Sequence, residues 1–291
     1  MKKITSLIFF FISLQTMAQQ GLVKESLKIN SKAMGKEIKY NIYLPADYDK
    51  TNRSYPVLYL LHGYSDDETG WTQFGEVQHI ADKAIANGDA PAMIIVMPDA
   101  GVTFYINSAD GKAKYEDFFV TELIPHIESG YRVRAKKEFR AVAGLSMGGY
   151  GTMIMATKHP DLFAAAAPLS GAFWSDDEIS NMPAERYDGL LGGLFGKATS
   201  GKDRLTENWY KNSILKIIET TPVDKLKTVK YYIDCGDDDF LIKGNMNLHA
   251  AMTDKAIPHE FRVRDGGHTW TYWRTALPEV MKFVGQSFHR Q

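Results

Sequence analysis

The sequence predicts an α/β fold in which a mostly parallel, doubly wound sheet is covered by helices on both faces. Short apolar runs rich in β-branched and aromatic residues alternate along the chain with longer stretches of helical periodicity. The runs are apolar on both strand faces, as expected of parallel strands buried between helix layers. Strands that alternate with helices in this way favour one doubly wound domain.

The core strands are predicted from six runs, which end abruptly at turn-forming residues. They cover residues 57–61, 93–97, 139–143, 164–169, 231–235 and 260–263. The helices predicted between and after them cover residues 116–129, 146–159, 245–255 and 272–288. Residues 22–44 alternate like an antiparallel hairpin, so we expect them at one edge of the sheet. Residues 172–228 break the rhythm and are predicted to form an insertion over the strand ends, not a second domain.

The N-terminal residues 1–18 have the composition of a signal peptide. Lys2 and Lys3 precede an apolar run over residues 4–14, and small residues up to Ala18 offer a cleavage site. The run is shorter than the roughly 20 apolar residues that a spanning helix needs. We therefore expect an exported protein, periplasmic or secreted, with a single mature domain over residues 19–291.

Charge, cysteine content and the spacing of His and Cys bear on the partners and cofactors to be expected. The 291 residues are 44% hydrophobic, which suffices for a large core, and the net charge of −1 gives no reason to expect nucleic acid or an anionic membrane as partner.

Cys235 is the only cysteine, so no internal disulfide can form. It lies in an apolar strand run, where a free cysteine is expected to be a core residue. No pair of His or Cys has ligand spacing, so we expect no metal and no other cofactor.

A serine with the pattern of a catalytic nucleophile follows the third core strand. Gly144-Leu-Ser146-Met-Gly148 is a G-x-S-x-G motif between a predicted strand and a predicted helix, which is the context this motif requires. The flanking glycines permit a sharp, strained turn that exposes the hydroxyl. The helix after it directs its N-terminus at the serine, so the N–H of Met147 can donate to an oxyanion.

A general base and an acid are expected later in the chain, because this architecture orders its triad as serine, acid, histidine. His268 lies in a loop between the last strand and the last helix, whereas His259 opens a strand and His289 is near the C-terminus. The acid should follow the penultimate strand, where four aspartates occur in residues 234–239. Asp239 is preferred because it is far enough along to turn back toward His268, and Asp238 is the alternative.

The second oxyanion donor is expected in the loop after an early strand. Leu61-His62-Gly63-Tyr64 fits, because the glycine allows close backbone approach and the N–H of Tyr64 could donate. His62 precedes the acid in the chain and is therefore interpreted as a residue that holds this loop.

Four motifs resemble those of the esterase D/feruloyl esterase family of α/β-hydrolases. They are L-L-H-G-Y, G-L-S-M-G-G-Y-G, D-C-G-D-D-D-F-L and G-G-H-T-W-x-Y-W, and the similarity covers about residues 22–288. The resemblance implies Ser146 as nucleophile, Asp239 as acid, His268 as base, and the N–H groups of Tyr64 and Met147 as the oxyanion hole. The glycine-rich stretch that many relatives have after the first H-G is replaced here by residues 64–71.

The expected function is that of an exported serine esterase acting on an ester-bearing saccharide or a phenolic ester, with feruloyl groups on plant polysaccharide favoured over acetyl groups. Trp71, Trp174 and Trp270 are candidate substrate-binding residues, since indole rings can stack on sugars or phenols, and Trp209 could do the same. An acyltransferase of the same fold and a non-catalytic glycan-binding module are the alternatives. An intact set of Ser146, Asp239 and His268 speaks against the binding module.

Overall fold

The computed structural model describes residues 20–197 and 201–289, and the strands of this part form one sheet. Its order is β1-β2-β4-β3-β5-β6-β7-β8. The strands are β1 Leu22–Ser31, β2 Lys36–Leu44, β3 Val57–Leu61, β4 Ile94–Pro98, β5 Arg140–Leu145, β6 Ala165–Leu169, β7 Lys230–Gly236 and β8 His259–Arg264. Strands β3 to β8 pair in parallel, whereas β2 pairs antiparallel with both β1 and β4. The predicted α/β class and the edge hairpin are confirmed. The predicted signal peptide lies outside the described residues.

Helices fill the connections between the strands. They are α1 Gly70–Gln73, α2 Val77–Ala86, α3 Tyr115–Phe118, α4 Ile124–Gly130, α5 Met147–Lys158, α6 Asp176–Asn181, α7 Ala184–Leu190, α8 Gly192–Phe195, α9 Glu207–Asn212, α10 Ile214–Thr220, α11 Val223–Leu226, α12 Ile242–Asp254 and α13 Trp270–His289. A π-helical turn over Phe119–Leu123 joins α3 to α4. In the described ranges, no helix has both the length and the apolar character needed to cross a membrane.

Two hydrophobic cores, one on each face of the sheet, hold the helices in place. Alternate residues of β3 point to opposite faces: Leu58 and Leu60 belong to one core, and Val57, Tyr59 and Leu61 to the other. The first core is covered by α2 and α13, and the second by α3, α4, α5 and α12. This arrangement is the doubly wound architecture that the apolar strand runs predict.

Helix α2 was not predicted from the sequence. Its buried residues Val77, Ile80, Ala81 and Ala84 follow the i, i+3, i+4, i+7 spacing of an amphipathic helix. They pack in the same core as α13. The spacing was therefore present in the sequence, but the stretch is short and begins without a side-chain cap.

Between β6 and β7 the chain forms the short helices α6 to α11. Arg204 is buried there, and its guanidinium donates to the carbonyl oxygens of Ile179 and Met182 while lying 4.5 Å from the ring centre of Tyr187. These contacts join α6 to α7. The interpretation of residues 172–228 as an insertion into a single domain stays a prediction.

Candidate active site

Ser146 lies in the tight turn between β5 and α5, with φ 55° and ψ −114°. This backbone conformation is sparsely populated by residues other than glycine. The neighbouring glycines make the turn possible, because a Cβ on Gly144 would lie 2.6 Å from the Cβ of Leu61 and one on Gly148 would lie 2.5 Å from the Leu61 carbonyl oxygen. Helix α5 can thus approach β3 closely, with its N-terminus at Ser146.

A chain of hydrogen bonds joins Ser146, His268 and Asp239. His268 Nε2 is 2.9 Å from Ser146 Oγ, and His268 Nδ1 is 2.8 Å and 3.0 Å from the two carboxylate oxygens of Asp239. An ionised carboxylate can only accept, so Nδ1–H donates to Asp239 and Nε2 accepts from the serine hydroxyl. The imidazole is therefore oriented to remove the hydroxyl proton.

The environment of Asp239 favours its ionised form. Its side chain is buried, and the N–H of Leu241 donates to Oδ1 at 2.8 Å. Burial raises the pKa of Asp239, but hydrogen bonds from His268, from the Leu241 N–H and from the hydroxyl of Ser170 outweigh burial and hold the pKa below its usual value. The alternative acid, Asp238, is exposed, and the structure brings Asp239 to His268 in its place.

The loops that carry Asp239 and His268 lie against each other. The N–H of Asp238 donates to the Gly266 carbonyl at 3.1 Å, and the N–H of Gly266 donates to Asp237 Oδ1 at 3.1 Å. A Cβ on Gly236 would lie 2.0 Å from the Gly266 carbonyl oxygen, so glycine is required at this approach. Ligand atoms of the exposed Asp237, Asp238 and Asp265 lie within 4.8 Å of one another, but exposed carboxylates are often close without binding a metal.

Two backbone N–H groups are candidates for an oxyanion hole. Tyr64 and Met147 both line the cleft beside Ser146. Gly63 brings the first loop close, since a Cβ there would lie 2.7 Å from Leu145 Cδ1 and 3.7 Å from Ser146 Cβ. Within residues 20–197 and 201–289, neither the Tyr64 N–H nor the Met147 N–H donates to a protein acceptor. Both are available to a negatively charged oxygen.

His62 holds the loop that carries Tyr64. Its ring is buried, and Nε2 accepts from the Ala100 N–H at 2.8 Å. Nδ1 must then donate to the Gly63 carbonyl, which lies 2.8 Å away. Burial lowers the pKa of His62, which agrees with this neutral tautomer. These contacts fit the interpretation of His62 as a structural residue.

Ser146 and His268 line a cleft of about 720 Å³, and six of its lining residues are aromatic: Tyr64, Phe104, Trp174, Phe240, Trp270 and Trp273. Trp174 and Trp270, two of the candidate substrate-binding residues, both line it. Tyr64 spans part of the cleft, and its hydroxyl donates to the Gly189 carbonyl at 3.4 Å. The other lining side chains are Asp66, Leu145, Ala172, Glu185, Arg186, Leu190 and Leu241.

Trp71 does not face the cleft, contrary to the expectation from sequence. It is 1% exposed, and its Nε1 donates to the Leu61 carbonyl at 3.0 Å. Its ring packs edge-on against Trp270, with 5.2 Å between centres, so it supports a cleft residue from behind. Trp209 is likewise buried, and its Nε1 donates to Asp176 at 2.8 Å.

Phe240 and Trp273 flank the imidazole of His268, although neither was singled out from the sequence. The ring centres lie 4.6 Å and 4.9 Å from that of His268, and Trp273 Nε1 donates to the hydroxyl of Ser170 at 3.0 Å. A signal was available in each case. Phe240 directly follows Asp239, and a spacing of three residues places Trp273 and Trp270 on one helix face.

Comparison with known proteins gives one family and several related enzymes. Residues 31–284 match the family model described as putative esterase. A solved ferulic acid esterase is 34% identical, with a TM-score of 0.79 over 92% of this chain and 99% of that one. The endo-1,4-β-xylanase/feruloyl esterase of Xylanibacter ruminicola is 36% identical over 54% of this chain, which spans only 23% of that protein.

A further relative has an acyltransferase name. Diacylglycerol acyltransferase/mycolyltransferase Ag85A of Mycobacterium gordonae is 34% identical over 88% of this chain and 78% of its own length. The relatives thus include both hydrolases and an enzyme named for acyl transfer.

Proposed function

This chain belongs to the putative esterase family, and from that premise we propose that it hydrolyses feruloyl esters of plant cell-wall saccharides through an acyl-enzyme on Ser146. The observation that carries the proposal is the hydrogen-bonded chain of Ser146, His268 and Asp239, of which Ser146 and His268 line a cleft with several aromatic side chains. The chain is a serine carboxylic-ester hydrolase; the substrate and the roles of individual residues are what we propose.

The reaction proceeds in two steps. His268 takes the proton of Ser146 as Oγ attacks the ester carbonyl, and the N–H groups of Tyr64 and Met147 stabilise the oxyanion, each by about 3–4 kcal/mol. His268 then gives the proton to the alcohol oxygen as the carbon–oxygen bond breaks. Water attacks the acyl-serine as His268 takes one of its protons, and His268 returns this proton to Ser146 Oγ as the bond between Oγ and the acyl carbon breaks and ferulic acid is released. Asp239 stays ionised and holds the imidazole in the required tautomer.

The walls of the cleft support an aromatic acyl group. Phe104, Trp174 and Tyr64 line it, and Phe104 lies 5.8 Å from Trp174 and 6.0 Å from Tyr64 between ring centres. Aromatic rings pack well against a planar phenolic ring, whereas an acetyl group would leave most of about 720 Å³ unfilled. Two of the similar proteins are a ferulic acid esterase and a xylanase/feruloyl esterase, which supports this choice.

Export from the cytoplasm is part of the proposal, because the substrate is a polymer met outside the cell. Its support is the sequence of residues 1–18. N-terminal sequencing of protein made with this leader should begin at Gln19. Retention of Met1 would contradict export by this route.

The function is tested by comparing turnover of methyl ferulate, acetylated xylo-oligosaccharide and p-nitrophenyl acetate by the wild type and by Ser146→Ala. We expect methyl ferulate to be hydrolysed by the wild type alone. Turnover of the two acetates without ferulate would replace the feruloyl assignment by deacetylation. Formation of a feruloyl sugar when an acceptor sugar is added would favour acyl transfer, the activity for which the Mycobacterium gordonae relative is named.

A further inference from the structure

A second cavity of about 340 Å³ adjoins the cleft on the side of α6 and α7. The two spaces share Trp174, Arg186, Phe240 and Leu241 as a common wall. Besides these shared residues, the second cavity is lined by the hydrogen-bonding side chains of Glu178 and Asn181, which do not line the cleft.

The position of this cavity relates it to one half of the substrate. His268 must deliver its proton to the leaving oxygen, so the alcohol departs on the His268 side of Ser146. The Phe240 ring lies 4.6 Å from the His268 ring, and Phe240 also lines the second cavity. The alcohol half of the ester is therefore directed past Phe240 toward this cavity, while the acyl half occupies the cleft.

The polar groups of the cavity have unused hydrogen-bonding capacity. Glu178 Oε2 accepts from the N–H and hydroxyl of Ser175, and Asn181 Nδ2 donates to the Asp177 carbonyl. Over the described ranges, Glu178 Oε1, Asn181 Oδ1 and the Arg186 guanidinium have no protein partner. The cavity therefore offers two acceptor oxygens and the N–H donors of Arg186 beside the indole ring of Trp174. This combination suits a sugar ring, which carries several hydroxyl groups.

Phe240 is 68% exposed, although it adjoins the candidate triad. A large apolar side chain in this position is consistent with contact to a ligand. A sugar ring in the second cavity would cover one side of Phe240 and could stack on Trp174.

We propose that the cavity between α6, α7 and Phe240 binds the saccharide part of the leaving alcohol, through Asn181, Arg186 and Glu178. This inference rests on the proposed function, since it assigns the alcohol half of the same ester. Methyl ferulate, whose alcohol is methanol, makes no use of the cavity. A feruloylated arabinoxylan oligosaccharide fills it.

The test measures kcat/KM for methyl ferulate and for a feruloylated arabinoxylan oligosaccharide with the wild type and with Asn181→Ala, because Asn181 lines the second cavity and not the cleft. We expect the variant to lose about tenfold on the oligosaccharide and less than about twofold on methyl ferulate, as for one hydrogen bond to a charged or polar partner. Lys225→Ala, in an exposed residue of α11 beside a separate cavity, is the matched control and should change neither value.

Equal losses on both esters, or no loss on the oligosaccharide, would overturn the saccharide site while leaving the esterase in place. Failure of the wild type to hydrolyse either ester would overturn the proposed function, and the saccharide site with it. Asn181 is exposed, so the thermal unfolding midpoint of Asn181→Ala should match that of the wild type.

Discussion

At the scale of single residues, Ser146 shows how a strained backbone is kept in place. Its conformation costs on the order of 1–3 kcal/mol. The N–H of Ser146 donates to the Leu169 carbonyl at 2.9 Å, and its own carbonyl accepts from Ala172 at 3.1 Å. These bonds fasten the turn to the end of β6. The hydroxyl is thereby held at the carboxyl edge of the sheet, 2.9 Å from His268 Nε2.

The two neighbouring aspartates offer a matched pair of variants. Asp239→Asn should lower kcat/KM for the ester by about 10³–10⁴-fold, because an amide cannot hold the same imidazole tautomer. Asp238→Asn should stay within about threefold, since its side chain is exposed and makes no hydrogen bond to His268 in the described structure. Steady-state kinetics on methyl ferulate measure kcat/KM of both variants and so show which aspartate acts with His268. A large loss in Asp238→Asn with little in Asp239→Asn would reverse the assignment.

The sequence could predict most of the residues that lie together at the candidate site but not the contacts that select among them. The order of serine, acid and histidine indicated the loop of residues 234–239, yet spacing separated Asp239 from Asp238 only weakly. The choice depends on the turn that places the Leu241 N–H on Asp239. The expectation that Trp71 binds substrate differs from its buried position, because proximity to a motif in the chain does not specify which way a side chain points.

At the scale of elements, a buried carboxylate joins the last two strands to the last helix. Asp234 on β7 accepts from Tyr232 and Arg264 at 2.8 Å and from Tyr272 at 2.5 Å. Arg264 ends β8 and Tyr272 lies in the first turn of α13, so these bonds fix both ends of the His268 loop. A buried charge is tolerated only when it is paired in this way.

Removing one donor from this network should destabilise the fold. Tyr272→Phe is expected to lower the free energy of unfolding by about 1.5–3 kcal/mol, the contribution of a hydrogen bond to a charged group. Urea denaturation of the wild type and the variant measures this difference in the free energy of unfolding. Tyr210→Phe is the control, because the Tyr210 hydroxyl makes no hydrogen bond in the described part of the chain. Equal stability of the two variants would show that the Tyr272 contact contributes little.

The strands were easier to predict than the helices of residues 172–228. Strands β3 to β7 are apolar on both faces and therefore stand out in the sequence. Helices α6 to α11 have only four to seven residues, too few for a periodic pattern to be distinct. Local capping was the available signal: Ser175 and Glu178 form a capping box at the start of α6.

At the scale of the whole molecule, the site is assembled from loops that follow β3, β5, β7 and β8 at one edge of the sheet. Ser146 and His268 are 122 residues apart in the chain, so only the folded sheet brings them to 2.9 Å. The parallel arrangement explains why residues after different strands converge. It also explains why sequence order predicted the participants without predicting their distances.

Stability should fall in acid because native ion pairs lose their charge. Glu116 is hydrogen-bonded to Lys158 and His159, at 2.8 Å and 2.9 Å. Burial raises the pKa of Glu116, but these two partners outweigh burial and lower the pKa below its usual value. A depressed pKa contributes stability above the unfolded-state value of about 4.3, and this is lost as pH falls through the folded-state pKa.

We therefore expect Glu116→Gln to be less stable than the wild type near neutral pH, with the difference shrinking as the pH falls below about 4. Urea denaturation at several pH values measures the free energy of unfolding of both proteins. A difference that stays constant with pH would exclude the ionisation of Glu116 as its cause.

The central claim, that Ser146 is a nucleophile activated by His268, is tested most directly by covalent labelling. The protein is treated with diethyl p-nitrophenyl phosphate, which phosphorylates activated serines, and the modified peptide is located by tandem mass spectrometry. We predict stoichiometric labelling of Ser146 in the wild type, and at least a 10³-fold slower rate in His268→Ala. Labelling at another residue, or equally fast labelling without His268, would contradict the account.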